Sequence, residues 1–182
     1  MTENPSEVGS DALSTVHNIG LISDTHIPDR ADSIAEEAID FFVKNNVELI
    51  LHAGDLTEMY VLDQLKEIAP VVAVHGNMCS QEVKEELLEY THVEINGIQI
   101  GLTHGSGGPI GYKDRMLYLA REKGVKILVS GHTHSPYIWK KGGIYLINPG
   151  SASGNYNAII KRHSVALLKI KGMDIEAEIY RF

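Results

Sequence analysis

The sequence predicts an α/β domain in which two β-sheets pack together and helices cover their outer faces. Three observations predict it. Five short apolar runs, at 19–23, 48–53, 71–75, 98–103 and 126–130, are rich in Ile, Leu and Val and barely alternate, which suits strands buried on both faces. Helical spacing lies between several of them. Residues 31–46 carry Ile34, Ala38, Phe41 and Phe42, residues 58–68 carry Val61, Leu62, Leu65 and Ile68, and residues 112–123 carry Met116, Leu117 and Ala120. Strands that alternate with helices imply parallel βαβ units. The last third changes character: 137–140, 144–147, 158–160, 165–170 and 175–180 are strand-like, with Lys141-Gly142-Gly143 and Lys171-Gly172 as hairpin turns. That end reads as an antiparallel meander. Both parts are too small to stand alone, so two packed sheets are expected.

A chain of 182 residues makes one domain with a substantial core. Residues 1–17 are polar and acidic with little to bury and read as a flexible tail; residues 18–182 read as a single domain without repeats or linkers. The formal charge is -8, which argues against a stable nucleic-acid complex, since that needs a basic footprint. Cys79 is the one cysteine, so no intrachain disulfide can form, as suits a reducing compartment. No apolar run is long enough for a membrane span. No basic region followed by an apolar stretch opens the chain, so it does not read as secretory, and the cytoplasm is the expected location.

The chemistry is carried by position. Each of the five apolar runs is followed by a metal-capable or polar residue: Ser23-Asp24-Thr25-His26, Gly54-Asp55, Gly76-Asn77, His104-Gly105 and Gly131-His132-Thr133-His134. In open α/β sheets ligands bind beyond the carboxyl ends of the strands, so two Asp, one Asn and four His converge on one crevice. Carboxylate with imidazole suits divalent first-row ions such as Mn, Fe, Co, Ni and Zn. Seven ligands exceed what one such ion usually takes and fit two ions sharing a carboxylate, an arrangement suited to in-line attack on phosphorus. Each piece alone has an ordinary reading: Gly-Asp and Gly-Asn are turn signals, and a His pair can cap a loop. The joint ordered pattern is what points to metal. His17, His92 and His163 lie outside it.

That ordered set, from Asp-x-His through Gly-Asp and Gly-Asn to Gly-His-x-His, resembles the calcineurin-like metallophosphoesterase superfamily over nearly all of the chain from Ile19 onward. His52-Ala53-Gly54-Asp55 and Asn148-Pro149-Gly150-Ser151 are similar to the short YfcE-type phosphodiesterase branch. The resemblance implies a two-sheet β-sandwich flanked by helices, a four-layer αββα fold. It implies two divalent ions, manganese foremost, with nickel, cobalt, zinc or iron as alternatives. Asp24, His26, Asp55 and His134 would hold one ion; Asp55, Asn77, His104 and His132 would hold the other, with Asp55 as the bridge. Asp55, Asn77 and His104 would be catalytic, and a hydroxide between the ions would be the nucleophile.

The implied activity is hydrolysis of phosphate esters, above all small phosphodiesters or nucleotides. Alternatives are a phosphomonoesterase or nucleotide phosphatase, and a non-catalytic scaffold like the retromer subunit of this fold; homo-oligomerisation stays open. The pattern is departed from twice. Met78-Cys79 stands where the wider family has His and an acid. Beyond Asn148-Pro149-Gly150-Ser151, Ala152-Ser153-Gly154-Asn155-Tyr156 lacks the branch's usual Arg. His75 is a candidate substitute for the absent His, though a packing role suits it better. His52 reads as a satisfied core histidine, and Arg30 and Lys113 are the cations nearest the motifs in sequence.

Overall fold

A computed structural model describes residues 16–153 and 163–182. In chain order the elements are β1 (Val16–Ile22), α1 (Glu36–Lys44), β2 (Leu49–His52), α2 (Tyr60–Lys66), β3 (Val71–Ala73), α3 (Gln81–Glu86), β4 (Tyr90–Ile95), β5 (Ile98–Thr103), α4 (Tyr112–Glu122), β6 (Ile127–Ser130), β7 (Tyr137–Lys141), β8 (Ile144–Asn148), β9 (Ser164–Lys171) and β10 (Asp174–Arg181). They form two five-stranded sheets, ordered β10-β9-β1-β2-β3 and β4-β5-β6-β8-β7. The parallel pairs β1–β2, β2–β3 and β5–β6 are those the alternation implied.

Side-chain parity explains why the central runs barely alternate. Ile19, Leu21, Leu51, Ile127, Val129 and Ile147 point between the sheets, with Ala166 and Leu168 from β9. Their neighbours point outward into two further cores. On the first sheet Ile22, Ile50 and Leu167 meet Phe42 of α1 and Leu65 of α2. On the second, Leu128 and Leu146 meet Met116, Leu117 and Ala120 of α4. Both parities are apolar because both faces are covered. The layers run helix, sheet, sheet, helix, as expected.

Helix ends follow local chemistry. Helix α1 opens with Glu36 and Glu37 and closes with Lys44, charges that complement its dipole. Asn46, at φ 47°, then turns the chain, and the Asn46 and Val47 N–H groups donate back to Val43 and Phe42 carbonyls, a Schellman closure.

The structure departs from expectation in four places. Strand β1 begins at Val16, paired with Lys171, so Val16 and His17 belong to the sheet rather than to a tail. The C-terminal third is not one meander: the β7–β8 hairpin joins the second sheet, where β8 runs parallel to β6, and the β9–β10 hairpin joins the first. Hairpin turns fix local pairing only; which sheet accepts a hairpin is decided by the edge left open. The strand expected at 158–160 lies outside the described residues. Strand β4 and helix α3 were not anticipated. Strand β4 had a signal, since Asn96 and Gly97 both have positive φ and Asn-Gly is the favoured two-residue hairpin turn. The three expected helices are shorter than their periodic stretches, α1 by five residues at its start.

Candidate metal centre

All seven candidate ligands sit just past the carboxyl ends of β1, β2, β3, β5 and β6. Five of them, Asp24, His26, Asp55, His132 and His134, have φ between 46° and 68°. Non-glycine residues in that region carry strain, which clusters at functional sites. Backbone hydrogen bonds hold Asp24 and His26 there. Asp24 N–H donates to Gly54 O and His26 N–H to Asp55 O, so the β1 and β2 loops are strapped together.

The donor atoms converge. His134 Nε2 lies 3.0 Å from Asp24 Oδ1 and 3.3 Å from His26 Nε2. Asp55 Oδ2 lies 3.2 Å from His104 Nε2 and 4.0 Å from His26 Nε2. Asn77 Oδ1 is 3.2 Å from His132 Nδ1. Asp24, His26 and His134 form one group able to hold a cation, and Asp24, Asp55 and His104 form another. With bonds of about 2.1 Å, ligand atoms around an ion are separated by about 3.0–3.4 Å, the spacing of the closest donor pairs here.

Hydrogen-bond accounting supports a cation. The His104 Nδ1–H donates to Ala53 O at 2.8 Å, because a carbonyl can only accept. That turns His104 Nε2 to the Asp55 carboxylate, as His134 Nε2 is turned to Asp24 Oδ1, and each of these close contacts is completed by a proton or by a cation. His132 Nε2 likewise faces the Gly107 carbonyl at 2.8 Å, turning the Nδ1 lone pair to the Asn77 oxygen. Acceptors pressed together need a proton or a metal between them, and around Asp24, Asp55 and His104 burial makes that need stronger.

The titration behaviour follows from these contacts. Burial resists charge on His104, but the carboxylates of Asp55 and Asp24 outweigh it and raise its pKa. Burial likewise opposes charge on Asp55, yet His104, the Met78 N–H and His26 lower its pKa, so it stays an anion. His26 is pushed down to about 4 by burial and by the Arg30 charge, which keeps it neutral and able to ligate.

Supporting groups surround the ligands. His52 is fully buried; its Nδ1 accepts from Gly54 N–H and its Nε2 faces Thr25 Oγ1, the satisfied core histidine expected. The Asn148-Pro149-Gly150-Ser151 segment clamps two ligand loops: Asn148 Nδ2 donates to Gly131 O, and Ser151 Oγ to Asp24 O. Cys79 Sγ accepts from Gly76 N–H at 3.3 Å, so the thiol, standing where the wider family has an acid, holds the loop that carries Asn77. A Cβ on Gly76 would come within 2.1 Å of Asp55 Oδ1, which explains that glycine by close approach alone.

Three residues escaped the sequence reading. Tyr112 Oη faces His104 O at 2.9 Å and Gly131 O at 3.2 Å, joining two ligand loops. Ser153 Oγ donates to Asp24 O. Lys84 Nζ donates to Asn77 O at 3.1 Å. No motif marks them, because their partners are backbone carbonyls. Lys113 instead sits over the Tyr137 and Trp139 rings. His17 pairs with Glu48, His92 is exposed on β4, and His163 packs on Phe182, as expected of histidines outside the pattern. The position of the missing Arg falls partly at 154–156, outside the described residues.

Residues 18–173 match the model of the calcineurin-like phosphoesterase superfamily domain. This chain belongs to that family. A probable metallophosphoesterase from Methanothermobacter thermautotrophicus is 44% identical over 163 residues, 90% of this chain and 91% of that one. A protein named phosphodiesterase from Methanocaldococcus jannaschii is 29% identical over 154 residues, 78% of this chain and 87% of its own. Among solved structures, wild-type Vps29 from Entamoeba histolytica, complexed with Zn2+, has a TM-score of 0.75 at 27% identity, covering 91% of this chain and 98% of its own. As a calcineurin-like phosphoesterase the chain is a metal-dependent phosphoester hydrolase by family. No helix among the described residues is long and apolar enough to cross a membrane.

Proposed function

We propose that this chain hydrolyses phosphodiesters at a site holding two divalent ions, manganese foremost. The observation that carries the reading is the set of facing acceptors: Asp24 with His26 and His134, Asp55 with His104, and Asn77 with His132. Asp24, His26, Asp55 and His134 would hold one ion, and Asp55, Asn77, His104 and His132 the other. Asp55 Oδ2 lies between His104 and His26, where a shared carboxylate is needed. Bound ions would supply an acidified water nucleophile and positive charge for the phosphoryl oxygens.

The chain's own groups do the rest. Gly107 and Ala53 carbonyls fix the tautomers of His132 and His104, so that ligating lone pairs face the site. The Met78 N–H holds Asp55 Oδ1 at 2.7 Å, leaving Oδ2 free to ligate. The Met78 side chain is 48% exposed and offers no proton, so esters with good leaving groups should be preferred. A small substrate and a cytoplasmic setting, with a free buried Cys79, belong to the same reading.

The test is hydrolysis of bis-p-nitrophenyl phosphate and p-nitrophenyl phosphate after chelation and Mn2+ readdition. We expect Mn2+-dependent turnover, faster on the diester. Faster monoester turnover would mark a phosphomonoesterase. Stoichiometric metal without turnover on either ester would favour a scaffold. Full activity in excess EDTA would remove the metal site altogether.

A further inference from the structure

Beside the metal centre lies an open cleft of about 220 Å³, walled by His75, Asn77, Lys84, Glu89, His104 and Ser106. Asn77 and His104 form its inner wall, and both belong to the proposed ligand set. Asp24, His26 and His134 do not line it. This cleft therefore continues from the Asn77 and His104 side of the centre. Whole-ligand pockets occupy about 300–1,000 Å³, so this one suits a single substituent.

Lys84 is the one cation among the described residues that line it. Its helix also carries Glu82, Glu85 and Glu86, yet the ion pairs between described residues do not include Lys84. Its ammonium is instead donated to the Asn77 carbonyl at 3.1 Å. An ammonium has three donors, so two remain for a ligand. The opposing acid, Glu89, is exposed, where solvent and salt screen it; Lys84 is half-buried and tethered. The cation governs the cleft.

We propose that this cleft seats one ester arm of the substrate and that Lys84 selects arms ending in a second anionic group, a carboxylate or a phosphate. The proposal rests on the phosphoesterase reading for the position of the phosphoryl group. It is tested by calorimetric binding of two phosphonates to the Mn2+-loaded full chain. The ligand 3-phosphonopropionate ends in a carboxylate, propylphosphonate ends in a methyl group, and neither P–C bond can be hydrolysed.

The wild type should bind the carboxylate ligand about five- to thirtyfold more tightly, between the effects of exposed ion pairs and of charged hydrogen bonds. Lys84→Met keeps the stem and removes the charge, and should bring the ratio to about one. Equal affinities in the wild type, no binding of either ligand, or a ratio that survives Lys84→Met would overturn the proposal. Failure to hydrolyse any phosphodiester, with the ratio intact, would instead remove the hydrolase reading and leave the cleft assignment standing.

Discussion

Cys79 and His52 show how single side chains hold the ligand loops. The Gly76 N–H is buried against Cys79 Sγ. Cys79→Ala removes its acceptor and should cost about 1–3 kcal/mol, read by urea unfolding; Cys79→Ser keeps an acceptor and should lose less. Equal losses would mean that packing volume, not the hydrogen bond, matters there. His52 is held neutral, its pKa pushed down to about 4 by burial. In the unfolded chain it returns to about 6.5. Between those values the unfolded state binds a proton that the folded state refuses, so stability falls as pH falls. The contribution is full above about pH 6.5 and lost by about pH 4, on the order of 3 kcal/mol. In metal-free protein, His52→Gln should start less stable at pH 7 but lose less than the wild type by pH 5. Parallel losses in the two proteins would show that His52 does not titrate in this window.

At the scale of elements, Tyr112 at the start of α4 ties the β5 loop to the β6 loop through His104 O and Gly131 O. It also occupies the space beside Gly105, where a Cβ would lie 2.2 Å from its Oη. Tyr112→Phe deletes the hydroxyl and little volume. Outer groups of this kind typically alter metal affinity about 10–100-fold, and we expect a loss of about tenfold in Mn2+ affinity by titration calorimetry, with the helix content unchanged. Unaltered affinity would show that the loops are held by their own backbone bonds. The helical and strand patterns were legible in the sequence because buried faces leave periodic traces. Helix α3 was not, since its six residues bury Val83 alone.

Across the whole molecule, the site joins the two sheets. Asp24, His26, Asp55 and Asn77 come from the first sheet, and His104, His132 and His134 from the second. Ions held between them would staple the sandwich at one end. An ion at one hundred times its Kd adds about 2.7 kcal/mol of stability, so EDTA should lower the unfolding midpoint measurably. Asp55→Ala should lose metal from both positions, whereas His26→Ala should lose mainly one, as measured by metal stoichiometry. One remaining ion in Asp55→Ala would show that the bridge is another residue, and Asp24, which joins both clusters, would be the candidate.

By itself the sequence determined the layered α/β class and the identity of the candidate ligands. Strands covered on both faces must be apolar at both parities, and ligands grouped at strand ends recur in order along the chain. Only the tertiary structure decided which sheet receives each C-terminal hairpin, that Cys79 holds the Gly76 N–H, and that Lys84 reaches the Asn77 carbonyl. The hairpin placement depends on pairing between segments distant in sequence; the Cys79 and Lys84 contacts are local but are made to backbone N–H and carbonyl groups, which leave no mark on residue identity.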